Sequence, residues 1–95
     1  MNVEFHPSAV REVEDAQAWY EERSLFAASA FLRELSIAVR RLMESPTLYP
    51  SAEAGTRRVL LERFPYTIYY RVKSHALIIV AVAHQKRRPG YWAAR

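Results

Sequence analysis

The chain has 95 residues, 51% of them hydrophobic, which is enough for one core and too few for two. It contains no cysteine, which excludes disulfide frameworks, thiolate metal sites and thiol nucleophiles, and no apolar run is long enough to cross a bilayer. The formal net charge of +4 is unevenly divided: residues 1–56 carry five Arg against nine acidic side chains, and residues 57–95 carry nine Lys or Arg against Glu62 alone. A basic half of this kind is either a solvated surface or a match for a polyanion or an acidic protein partner.

The opening Met1-Asn2-Val3-Glu4-Phe5 lacks the basic start and apolar run of a signal peptide, so a soluble, cytoplasmic protein without a membrane partner is expected. Val3 to Phe5 alternates as a short strand. Pro7 then suits the first position of a helix, where its missing N–H is not needed. Ala9, Val13, Ala16 and Tyr20 fall on one helical face with Val10 and Gln17 beside them, whereas Glu12, Glu14, Asp15, Glu21 and Glu22 lie elsewhere, on what reads as an acidic outer surface.

Ser24 is the predicted cap of a second helix, which Ser45-Pro46 terminates. Its main stripe, Ala28, Phe31, Leu35, Ala38, Val39 and Leu42, should face a sheet. Phe26, Ala30 and Ile37 project to the opposite side among Arg33, Arg40, Arg41 and Glu44. That outer row is either ordinary exposed apolar surface or a groove for a partner helix. Pro46, Pro50 and Gly55 mark a loop, after which Val59–Leu61, Tyr66–Val72 and Leu77–Ala83 read as three strands joined by short turns, hence an antiparallel meander. The last strand is apolar on both faces and should be central. The expected order β-α-α-β-β-β is α+β: one domain over residues 1–95, a helical hairpin packed on a small, mainly antiparallel sheet.

Residues 84–95, His84-Gln85-Lys86-Arg87-Arg88-Pro89-Gly90-Tyr91-Trp92-Ala93-Ala94-Arg95, form a basic aromatic tail. Three consecutive cations beside two aromatics can hold phosphates while Tyr91 or Trp92 stacks on a base. The same composition equally describes a tail whose rings dock on the domain while its cations stay in water.

Several segments together resemble the RelE/ParE toxin superfamily, and its ParE-like branch in particular. They are His6-Pro7-Ser8-Ala9 after the first strand, Ala18-Trp19-Tyr20-Glu21-Glu22-Arg23, Phe64-Pro65-Tyr66-Thr67-Ile68-Tyr69-Tyr70-Arg71-Val72, and Val80-Ala81-Val82-Ala83-His84 followed by Arg88-Pro89-Gly90-Tyr91-Trp92 and Arg95. The resemblance covers nearly the whole chain. It implies the toxin component of a type II toxin–antitoxin pair, neutralised in a hetero-oligomer by an antitoxin whose acidic or amphipathic segment wraps the hairpin and sheet. Phe26, Ala30, Arg33, Ile37, Arg40 and Arg41 are the candidate antitoxin contacts.

Two toxic mechanisms follow from the superfamily. ParE-like members are associated with poisoning DNA gyrase and need no catalytic residues; Lys86, Arg87, Arg88, Tyr91 and Trp92 would then be the target-binding residues. RelE-like members cleave messenger RNA on the ribosome without a metal, and that chemistry needs a base, an acid and phosphate clamps. Here the candidates are His84, Tyr91, Glu62, Arg63 and Arg71. Pro65-Tyr66 stands where the nucleases tend to carry arginine, and no lysine lies between Glu44 and Glu62, so the ParE reading is preferred. A nontoxic binding module is the remaining alternative. No cofactor or metal is implied by any of these readings.

Overall fold

A computed structural model describes residues 1–95. Its elements are β1 (Asn2–Phe5), α1 (Pro7–Glu21), α2 (Leu25–Glu44), a short 3-10 turn (Glu53–Gly55), β2 (Arg57–Leu60), β3 (Tyr66–Lys73) and β4 (Ala76–His84). Pro7 opens α1, and the Nδ1 of the preceding His6 accepts the Ser8 N–H at 3.1 Å. Ser24 caps α2 by accepting the Ala27 N–H at 3.2 Å, and the helix stops before Ser45-Pro46.

The sheet order is β1-β4-β3-β2, with β1 parallel to β4 and the remaining pairs antiparallel. The meander thus carries the N-terminal strand on its far edge, and β4 is central because the α1–α2 hairpin returns the chain to the opposite edge of the sheet. β2 begins and ends slightly earlier than its alternation suggests: it pairs Arg57–Leu60 with Thr67–Tyr70, and Leu61 turns inward as a buried residue.

The hairpin covers one face of the sheet. Ala9 and Ala16 of α1 and Phe31, Leu35, Ala38 and Leu42 of α2 form a common core with Ile68, Tyr70, Leu77, Ile79 and Val82. Small residues on α1 allow the helix close to the sheet, while the α2 stripe supplies volume. The Tyr70 hydroxyl donates to the Pro46 carbonyl at 2.6 Å and fastens the loop after α2.

Strand β4 changes phase. Tyr70 pairs with Ile79 and Tyr69 with Ala81, leaving Val80 as an extra residue in a β-bulge. The bulge turns both Val80 and Ala81 onto the second face and returns Val82 to the helical one. The second face is closed by the tail: Trp92, 1% exposed, packs on Val80, Ala81 and Tyr69. Its ring lies 4.2 Å from that of Tyr69, tilted by 32°. The tail therefore completes a second small core.

Candidate functional site

The tail is fixed by a carboxylate on α1. Glu12 Oε1 accepts the Val82 N–H at 2.9 Å and Arg95 Nη1 at 3.0 Å, and Oε2 accepts the Tyr91 hydroxyl at 2.5 Å and Arg95 Nη2 at 3.0 Å. The Arg95 and Glu12 side chains are 17% and 14% exposed, so the bidentate pair is partly shielded from water. Arg95 also donates to the Val80 carbonyl, and Arg71 Nη1 donates to the Arg95 carbonyl at 2.7 Å. The helical spacing places Glu12 on the acidic outer surface. It lies instead on the flank of the α1 stripe, one turn before Ala16, where it meets β4 and the tail. An acid at that flank opposite an arginine-ended tail was the available signal.

This packing corrects one target-binding candidate and constrains another. Trp92 is buried in the second core and presents no ring to a partner. Tyr91 is partly buried, and its hydroxyl is committed to Glu12. Burial, then the hydrogen bond and negative charge of Glu12, push its pKa well above the ordinary 10.0. The Arg87 guanidinium lies over the Tyr91 ring at 3.9 Å, and the Arg95 guanidinium is 5.2 Å from it. Lys86, Arg87 and Arg88 are exposed and make no ion pair, so the start of the tail is a cationic surface on a braced support.

The five nuclease candidates do not form one constellation. His84 and Tyr91 share the cleft between α1 and the tail, whereas Glu62 and Arg63 line a second groove beside α2. Arg71 donates twice to the carbonyl of Ala54 and once to that of Arg95; it holds the left-handed Ala54 (φ 58°) and the chain end in place of a phosphate. His84 Nδ1 accepts the Lys86 N–H at 3.1 Å, which places the proton of the neutral ring on Nε2 and occupies the lone pair a general base would use.

The second groove runs between α2 and the edge strand β2. Arg33, Ile37 and Arg41 form one wall, with Tyr49 and Leu60 opposite. The Glu34 carboxylate closes its end by accepting the Glu62 and Arg63 N–H groups and pairing with Arg63. Phe26, 86% exposed, lies on the same outer row of α2 but beyond the groove, as do half-buried Ala30 and exposed Arg40. Leu60 is 54% exposed, and the outer side of β2 is covered only at its start, where Ser51 bridges Arg57 and the Arg58 N–H donates to the Pro50 carbonyl, so an apolar, arginine-flanked trough adjoins the far end of an edge strand. No group of three or more His, Asp or Glu side chains that could hold a metal ion occurs. No helix is long and apolar enough to cross a membrane.

Two helices on a four-stranded mixed sheet with the order β-α-α-β-β-β define a RelE/ParE-like fold. A chain in the structure titled "Chromosomal ParDE TA system from P. aeruginosa" superposes with a TM-score of 0.77 at 20% identity, over 88% of this chain and 95% of that one. A sequence family described as the ParE toxin of the type II toxin–antitoxin system parDE matches residues 3–89. The chain belongs to that family. No curated protein matches it.

Proposed function

We propose that this ParE-type toxin acts by binding its target, DNA gyrase, through the braced cationic surface of Lys86, Arg87 and Arg88 with the Tyr91 ring behind them. A cognate antitoxin would hold it inactive in the cytoplasm. The observation that carries the reading is the commitment of the tail's proton-transfer groups: the Tyr91 proton is held by Glu12 and the His84 Nδ1 lone pair by the Lys86 N–H, while three cations stand free of carboxylates.

For the antitoxin, the favoured surface is the outer row of α2 and its groove with β2. An apolar segment can bury Ile37 and Leu60 while acidic groups meet Arg33 and Arg41, joining hydrophobic affinity to electrostatic steering. Phe26, Ala30 and Arg40 extend the same row.

The test is induction of the toxin alone in a bacterial host, with DNA breaks and messenger RNA cleavage read separately. DNA damage without ribosome-dependent cleavage is expected. It should be lost when Lys86, Arg87 and Arg88 are together replaced by Ala, with antitoxin binding only reduced. Codon-positioned cleavage by purified protein, abolished in Tyr91→Phe, would overturn the reading in favour of a nuclease.

A further inference from the structure

Three guanidiniums lie against aromatic rings: Arg23 over Trp19 at 3.6 Å, and Arg87 and Arg95 over Tyr91 at 3.9 and 5.2 Å. Two of them are spent inside the protein. Arg23 donates to the Trp19 carbonyl and pairs with Glu22, and Arg95 donates to Glu12 and to the Val80 carbonyl. The Arg87 guanidinium meets no carboxylate, and none of its N–H groups has an acceptor in the protein.

Arg87 is nevertheless held. Its backbone N–H donates to the His84 carbonyl at 2.9 Å, which fixes the turn that carries it. The ring beneath it is anchored through the Tyr91 hydroxyl to Glu12, itself tied to Val82 and Arg95. A guanidinium on an aromatic face keeps its N–H donors in its own plane, free to pair, and an anchored fork loses less freedom on pairing than a mobile one. Lys86 and Arg88 have no ring beneath them and no acceptor, so they contribute charge without direction.

The free fork selects an oxyanion. A nucleic-acid strand would also need open aromatic faces for its bases, and these are taken: Trp92 is buried, and Trp19 and Tyr91 already carry Arg23 and Arg87. Asp15, exposed and without an ion pair, lines the same cleft as Arg87 and penalises a multiply charged strand more than a single carboxylate. That cleft, of about 390 Å³, is walled near Arg87 by Ala16, Tyr66 and Val82 with Pro65, which suits an apolar side chain next to an acidic one. We infer that Arg87 is the specificity-determining residue of the target surface, an assignment that rests on the toxin's binding a protein target. Its free edge takes a carboxylate from an acidic segment of that protein, and a neighbouring apolar side chain of the segment enters the cleft.

The experiment has two arms. In the first, purified gyrase is titrated with the full chain and its variants. Arg87→Lys keeps the charge but loses the fork and the stack, and should weaken binding by roughly tenfold or more, the scale of a lost charge-assisted contact. Lys86→Ala and Arg88→Ala should each cost roughly two- to threefold. Tyr91→Leu should match Arg87→Lys, whereas Tyr91→Phe, which keeps the ring, should cost less; thermal melts confirm that each variant is folded. Wild-type affinity in Arg87→Lys would overturn the inference, as would a greater loss from Lys86→Ala or Arg88→Ala, or a loss confined to antitoxin binding. In the second arm the arginine Nε–H resonances are followed by NMR as capped hexaglutamate, or a seven-nucleotide single strand of the same charge, is added. Saturable shifts largest at Arg87 are expected with hexaglutamate, and weaker binding of the strand. Tighter binding of the strand would overturn the inference in favour of nucleic acid, and equal shifts at Arg87 and Arg88 would overturn it in favour of undirected charge. If gyrase does not bind while hexaglutamate still selects Arg87, the choice of target falls and the carboxylate site stands.

Discussion

Replacing Glu12 by Gln isolates the charge in the latch, because the amide keeps the size and one acceptor of the carboxylate. One oxygen can still accept from Val82 and from one Arg95 nitrogen. The other becomes an NH₂, which faces the second Arg95 nitrogen donor to donor, while the Tyr91 hydroxyl can rotate to accept. The variant therefore loses one charge-assisted hydrogen bond and the Coulomb attraction of a pair whose side chains are 14% and 17% exposed. A hydrogen bond to a charged group contributes about 1.5–3 kcal/mol, and residual solvent screening argues for the lower half, about 2 kcal/mol. For a domain of this size that is a fall in Tm of roughly 8–16 °C. The assay is a double-mutant cycle with Arg95→Met by thermal and urea unfolding, joined to amide exchange at Val82 and along the tail. A coupling of about 1–2 kcal/mol is expected, with exchange accelerated at Tyr91 to Arg95 before it changes in β3. A loss below about 0.5 kcal/mol, with no coupling to Arg95, would refute the idea that this carboxylate fixes the tail.

Trp92→Ala empties the second core, and a loss of about 3–5 kcal/mol in unfolding free energy is expected, measurable by urea denaturation. Leu35→Ala should cost about 2–5 kcal/mol through the first core, whereas Ile37→Asp should leave Tm nearly unchanged and weaken antitoxin binding at least tenfold in a titration of the purified pair. Tyr91, Tyr66, Tyr20 and Tyr70 all have pKa values raised by burial above the ordinary 10.0. A raised folded-state pKa means that the neutral phenols stabilise the fold below pH 10 and that this contribution disappears as pH rises through the folded values, so Tm should fall steadily above about pH 10. Tyr91→Phe should reduce that alkaline slope.

The fold was readable because its two helices each carry one dominant period and its later strands are β-branched and aromatic runs bounded by turns: the α2 stripe of Ala28, Phe31, Leu35, Ala38 and Leu42 is buried as its spacing requires. Strand order was not readable, since nothing local in Val3–Phe5 states which edge it will join. The bulge at Val80 was hidden for a related reason. In a continuous run of apolar residues a change of phase leaves no polar residue on the wrong face to betray it. The tail shows the limit most clearly. Composition left two accounts of Tyr91 and Trp92, stacking on a ligand or docking on the domain, and both use the same residues. The choice rests on a residue some eighty positions away, because Glu12 supplies the acceptor that Tyr91 and Arg95 require once they leave water. Without that carboxylate, burial of Arg95 would strand a guanidinium against the Val80 carbonyl alone, and the tail would have reason to stay in solvent. With it, Trp92 closes the open face of the sheet, Arg87 settles on Tyr91, and the cations at 86–88 are held at a defined place on the surface. A single acid on the flank of α1 thus converts a basic aromatic sequence into a positioned cationic surface.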